Sequence, residues 1–248
     1  VPVIGCKCPT CLSQDPHDQR LNCSVLLIRD GFHLLVDCGP DFRHSVLKFN
    51  VPRIDAVWLT HAHFDHYAGL DYLRQYNYLQ QHPIPLYLKD SDWELLSQHM
   101  LRYLFLDRPT MGGGISQIEA RPLTDRTPMD IGPFHVVPVR VEHGTMPVWN
   151  LRIDDFAYVT DCKRIASDEQ EKLKGLDTLV LSALRYQAHD THANIDEALA
   201  LIENLAPRCA YLTHFTHDIR HQVLAQELQT RSPKRSVLPA YDGFSLWF

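Results

Sequence analysis

Apolar residues along this chain come in short runs, and run after run ends on a histidine or an aspartate. Ser24–Asp30 and His33–Asp37 read as two strands, with Asp30-Gly31-Phe32 as the tight turn of a hairpin. Ile54–Thr60 is a further apolar run of strand length and stops at a histidine cluster. Helix-period spacing then predicts a helix over Ala68–Tyr78 and an amphipathic one over Asp90–Leu104, with Asp90 or Ser91 as its N-cap. Between them Ile84–Leu88 is a short strand. Asp107–Gly114 holds Pro109 and three consecutive glycines and reads as a surface connection. Strands follow at Phe134–Val141, Trp149–Ile153, Phe156–Thr160 and Thr178–Leu181. A helix capped by Asn194 is expected over Asn194–Leu205, a strand over Cys209–Thr213, a helix over Ile219–Gln229 and a last strand over Phe244–Phe248. The order predicts an α/β fold of two sheets sandwiched between helices, as a single domain over residues 1–248. Polar strand ends gather on loops at one rim, where sites are usually built.

Composition changes little until histidine and cysteine are considered. Hydrophobic residues make up 45% and charged residues 22% of the 248, as in ordinary globular proteins. No apolar run reaches the roughly 18 residues of a membrane span, and Val1-Pro2-Val3-Ile4-Gly5 shows no secretion leader. The formal charge of −6 and the lack of a basic stripe argue against a grip on long nucleic acid. A small anionic substrate stays compatible, because bound divalent metals add positive charge that the count omits. Cysteine is present seven times, an odd number, with three crowded into Cys6–Cys11. A reducing compartment, the cytoplasm, and a metal site are expected rather than a disulfide framework.

The chemistry concentrates in His61-Ala62-His63-Phe64-Asp65-His66, just after an apolar strand. Alternate residues of an extended segment point the same way. His61 and His63 can therefore share one metal, while Asp65 and His66 reach a neighbouring one. Imidazole with carboxylate suits Zn²⁺, Mn²⁺ or Fe²⁺.

This string is similar to the signature of the metallo-β-lactamase superfamily, and later motifs come in that family's order. The resemblance implies a four-layer αββα sandwich whose first N-terminal strand precedes Val1. It also implies that His143 completes the first metal's ligands, that Asp161 bridges both metals, and that His214 completes the second. Leu35-Val36-Asp37-Cys38-Gly39 resembles the early strand-end motif, with Asp37 supporting the histidine loop from behind. His63 stands where flavodiiron relatives carry glutamate, which favours a hydrolytic site.

Cys6, Cys8 and Cys11 offer three soft thiolates, and a Cys₃His zinc explains their crowding in an N-terminal loop over residues 1–23. On spacing alone His217, His17, Cys23 and His221 compete as the fourth ligand. The cysteine run together with Thr213-His214-Phe215-Thr216-His217 resembles the PhnP-type phosphodiesterases of the carbon–phosphorus lyase pathway, which act on a phosphoribosyl cyclic phosphate. That resemblance implies His217 as the fourth ligand of a structural zinc. It also makes His192 similar in position to a histidine that contacts the phosphate, with His189 as its rival.

The expected activity is therefore hydrolysis of a small, cyclic phosphodiester by a hydroxide bridging two zinc or manganese ions. Asp65 and His192 join the catalytic set, one zinc is structural, and a homodimer stays open. Three other readings compete: a transfer-RNA 3′-processing endonuclease, a thioester or lactone hydrolase of the glyoxalase II type, and a non-catalytic metal-binding protein. The first commonly carries an RNA-gripping arm where only residues 144–160 separate His143 from Asp161. The second does not require the cysteines, and the intact ligand set argues against the third.

Overall fold

The computed structural model describes residues 1–105, 114–232 and 234–248. The connection expected at Asp107–Gly114 lies outside the described residues except for Gly114. The chain divides into two compact units, residues 22–135 and residues 1–21 with 136–248. Each has its own core.

In the unit 22–135, strands β1 (Val25–Arg29) and β2 (Phe32–Val36) form the expected hairpin, with Arg29 opposite Phe32. Asp30 and Gly31 both take positive φ, which suits a two-residue turn between twisted strands. Helix α1 (Phe42–Lys48) follows, then β3 (Ala56–Trp58), parallel to β2. A short helix α2 (Phe64–Tyr67) precedes the helix expected at Ala68–Tyr78, which is itself broken into a 3₁₀ turn (Leu70–Leu73) and α3 (Arg74–Gln80). Strand β4 (Ile84–Lys89) leads into α4 (Asp90–Leu95). The predicted Asp90–Leu104 helix continues from α4 only as a π-helical turn and a 3₁₀ turn, and Lys89 takes the N-cap position instead of Asp90 or Ser91. Strands β5 (Ile118–Leu123) and β6 (Met129–Ile131) complete the unit. Strands β1 to β5 form one sheet in chain order. Leu35, Val57, Leu59, Leu70, Leu73, Ile84 and Leu86 form its core. Fully burying one such side chain is worth roughly 1.5–3 kcal/mol.

The second sheet runs β12-β11-β10-β9-β8-β7-β6. Strand β7 (Phe134–His143) turns through Gly144-Thr145 into β8 (Met146–Ile153), antiparallel, with His143 opposite Met146. Strand β9 (Phe156–Val159), helix α5 (Ser167–Glu171), β10 (Thr178–Ser182), helix α6 (Ile195–Leu205), β11 (Cys209–Thr213), helix α7 (His221–Arg231) and β12 (Ser236–Pro239) follow. Strands β9 to β12 are parallel, and every residue of β9 and β10 is buried. That explains their unbroken apolar character. Asn194 caps α6 as expected, in a reciprocal capping box with Glu197. The strand expected at Phe244–Phe248 does not form. Trp247 is almost wholly exposed, and Phe248 stacks on Phe156 with ring centroids 4.4 Å apart. The strand in this region is instead β12, paired with β11. Among the described residues no helix is long and apolar enough to cross a membrane.

Candidate metal centre

The histidine string follows β3. Its anchor is Asp37, the residue after β2, which is fully buried and held at a left-handed φ of 62°. The Asp37 carboxylate accepts the Thr60 N–H at 2.8 Å, and the Thr60 hydroxyl lies within 3.0 Å of both its oxygens. His66 Nδ1 lies 2.7 Å from Asp37 Oδ2. A carboxylate only accepts, so the ring proton sits on Nδ1 and the lone pair on Nε2. The Thr60 hydroxyl gives its one proton to Asp37 and accepts from His61 Nδ1 at 3.1 Å. That leaves His61 with its lone pair on Nε2 as well. One buried aspartate thus sets two imidazole tautomers, directly and through Thr60.

Close backbone approach holds the string in place. A Cβ on Gly39 would lie 2.0 Å from the Asp65 carbonyl oxygen, and one on Gly69 would lie 2.2 Å from the Gly39 carbonyl oxygen. Only glycine fits where the Asp37 turn packs against the start of α2. The rings of His63 and His66 lie 4.5 Å and 4.2 Å from that of His61. Asp65 Oδ2 lies 3.5 Å from His66 Nε2. The four residues of the sequence string are therefore together, with His61 and His66 buried and His63 exposed.

The unit 1–21 with 136–248 carries the other half of the expected set. His143 ends β7, and its Nδ1 lies 2.8 Å from the Thr191 carbonyl oxygen, so its lone pair also sits on Nε2. Asp161 follows β9 at a φ of 49°, and His214 follows β11 at a φ of 62°. The two Asp161 oxygens divide between these histidines: Oδ2 is 4.0 Å from His143 Nε2 and Oδ1 is 3.1 Å from His214 Nε2. The His192 ring lies 4.3 Å from that of His143 and 5.2 Å from that of His214. Burial pushes His192 down to about 3, against the pull of Asp161, and His214, His143 and His189 add to the fall. The ring is uncharged at neutral pH.

The cysteine cluster belongs to this same unit. Sγ of Cys6, Cys8 and Cys11 lie 3.3, 3.6 and 3.4 Å from His217 Nδ1. Tetrahedral zinc with ordinary Zn–S and Zn–N bonds separates sulfur from nitrogen by about 3.5 Å, so the four donors fit one ion. The Cys11 backbone N–H holds the Cys8 thiol down to about 6, near the thiolate form that zinc requires. No disulfide joins any of the seven cysteines. The competitors of His217 are engaged elsewhere or set apart: His17 and His221 stack on each other at 4.6 Å, and Cys23 is absent from the cluster. The N-terminal segment is also tied down by Arg20, whose guanidinium donates to the Ile219 carbonyl.

The donor chemistry fits divalent metals in all three clusters. The sequence pattern names the candidate ligands but not the groups that set their tautomers, Thr60 and Thr191. Thr191 acts through its peptide, which leaves no mark in a residue pattern. An Asp37→Ala variant is expected to weaken binding of catalytic metal about 10- to 100-fold, as read by competition with a chelating dye. An unchanged affinity would show that the His66 and His61 rings hold their orientation without it.

A family model described as the Beta-lactamase superfamily domain matches residues 33–215. The chain is 35% identical over 246 residues to an octanoyltransferase of Porphyromonas gingivalis, covering 98% of this chain and 48% of that relative. It thus spans about half the length of that curated relative. An anti-Pycsar protein, Apyc1, of Paenibacillus harenae is 25% identical over 234 residues, covering 86% of this chain and 91% of its own. Among solved structures, a diphosphatase from the PhnP family superposes with a TM-score of 0.89 at 34% identity, over 100% of this chain and 92% of its own. The metallo-β-lactamase fold expected from the histidine string is the one found. The chain belongs to the β-lactamase superfamily and, within it, to the PhnP family.

Proposed function

We propose that the chain is a dinuclear metal-dependent phosphodiesterase acting on small, cyclic phosphodiesters. In this reading, which follows the ligand order that the family resemblance implies, His61, His63 and His143 would hold one ion and Asp65, His66 and His214 the other, with Asp161 as a ligand to both. The observation that carries it is the Asp161 carboxylate, one oxygen of which is directed at His143 Nε2 and the other at His214 Nε2. A carboxylate so divided suits two ions better than one. Cys6, Cys8, Cys11 and His217 hold a separate structural zinc.

Two bound zinc or manganese ions supply Lewis acidity and an ionised water as nucleophile near neutral pH. The chain's own residues supply the order. Asp37 and Thr60 fix the rings of His66 and His61, and the Thr191 carbonyl fixes that of His143. His192, uncharged and packed between His143 and His214, serves as a hydrogen-bonding group for the phosphoryl oxygens rather than as a charged acid. A small anion suits a chain of formal charge −6 whose site gains positive charge only with its metals.

Diphosphate hydrolysis is the second reading, favoured by the PhnP-family diphosphatase. A panel decides between them: an aryl phosphodiester, a ribose 1,2-cyclic phosphate, a dinucleoside diphosphate and an aryl thioester, each with metal-loaded protein. Cleavage of the cyclic and aryl phosphodiesters is expected. Turnover confined to the dinucleoside diphosphate selects the second reading, and turnover confined to the thioester overturns both.

A further inference from the structure

We propose that His189 is a substrate-contacting hydrogen-bond donor of this site, presenting an Nε2–H to the substrate's phosphoryl oxygens. The proposal rests on the phosphoryl-transfer reading above and adds a residue that the metal ligands and His192 do not include.

The backbone N–H and C=O of Thr191 face two different imidazoles. The Thr191 backbone N–H lies 3.2 Å from His189 Nδ1, and the Thr191 hydroxyl lies 3.2 Å from the same atom. A backbone N–H can only donate, so His189 Nδ1 holds a lone pair and the ring proton sits on Nε2. The carbonyl of the same residue accepts from His143 Nδ1 at 2.8 Å and imposes the opposite tautomer there. Thr191 therefore divides two imidazoles into two roles. His143 offers a lone pair, which a metal needs, and His189 offers an N–H, which an anionic oxygen needs.

Placement agrees with that division. The His189 ring lies 5.1 Å from that of His192, which in turn packs on His143 and His214. His143 and His192 are buried, whereas His189 is half-buried, so it stands one step toward solvent in a row of imidazoles. The loop that carries it is closed at its base. Leu184 N–H donates to the Ala193 carbonyl at 2.9 Å, Ile195 N–H to the Arg185 carbonyl at 3.0 Å, and Ala193 N–H to the Cys162 carbonyl at 2.7 Å. The Arg185 guanidinium donates to the Ala188 carbonyl at 3.0 Å. Thr191 is wedged as well, since a Cβ on Gly144 would come within 2.8 Å of its Cγ2. A donor fixed in this way needs no reorganisation when charge builds on a phosphoryl oxygen.

The test uses metal-loaded full chain and three substitutions. His189→Asn keeps an acceptor near Nδ1 but has no group at Nε2. His189→Gln places an amide N–H close to the Nε2 position, and His189→Ala removes both. Each is measured for binding of inorganic phosphate by calorimetry, kcat and KM on an aryl phosphodiester, metal content and melting temperature. His189→Asn and His189→Ala are expected to weaken phosphate binding and lower kcat/KM about 10- to 100-fold, at unchanged metal content. His189→Gln is expected to recover most of both. Wild-type phosphate affinity in His189→Asn would overturn the inference, as would loss of metal in all three variants, which marks a structural role. Failure of the underlying reading looks different: the unsubstituted protein then binds phosphate through His189 but cleaves no phosphodiester.

Discussion

Replacing Asp161 with alanine is expected to lower turnover by at least about 10²–10³-fold, the loss typical of one preorganised charge-stabilising group, and to reduce bound catalytic metal. The carboxylate is almost fully buried, yet it neighbours two histidine Nε2 atoms at once. Removing it would take a shared ligand from both ions in the dinuclear reading. The fold should survive, because Asp161 follows β9 and takes no part in that strand's pairing. Metal analysis and circular dichroism on the purified variant check the two halves of the statement. A variant that keeps two tightly bound ions and near-normal turnover removes the bridging role.

The second large effect concerns the cysteines. Cys8→Ser is expected to cost one zinc per chain and to lower the melting temperature by roughly 10 °C or more, given what a structural zinc contributes to a small unit. Zinc held by three thiolates and one imidazole has no open position and does not activate water. It would join Cys6, Cys8 and Cys11 to His217, three positions beyond His214. Activity should therefore fall only through poorer metal loading at the His214 side, and excess metal should restore part of it. His217→Ala should match Cys8→Ser, whereas His214→Ala should keep the structural zinc. Unchanged zinc content and melting temperature in Cys8→Ser would remove the structural zinc.

The candidate donors were legible because they are side chains at the ends of apolar runs. His61 to His66 form one string, Asp161 follows the buried strand β9, and His214 follows β11, whose residues alternate between buried and half-buried. The tautomers were less legible, because that of His143 is set by the Thr191 backbone carbonyl and that of His61 by the Thr60 hydroxyl. Edge strands were missed for a different reason. β5 (Ile118–Leu123) carries Glu119, Arg121 and Pro122, and β12 (Ser236–Pro239) ends in proline. An edge tolerates charge and proline that a central strand does not, so neither segment reads as a strand. The aromatic run at Phe244–Phe248 had strand composition but found no partner strand. Helix α1 (Phe42–Lys48) buries only Phe42, too little to leave a periodic apolar stripe.

Asp37, Asp161 and His214 share one further property: each is a residue other than glycine with a left-handed backbone, immediately or two residues after its strand. Such conformations cost of order 1 kcal/mol or more apiece. Selection for heat resistance alone would therefore be drawn to these positions, where glycine relieves the backbone. A library screened only for folding would drift toward a sturdier protein that has lost its metals. Any stabilised descendant should be chosen on metal content as well as on melting temperature.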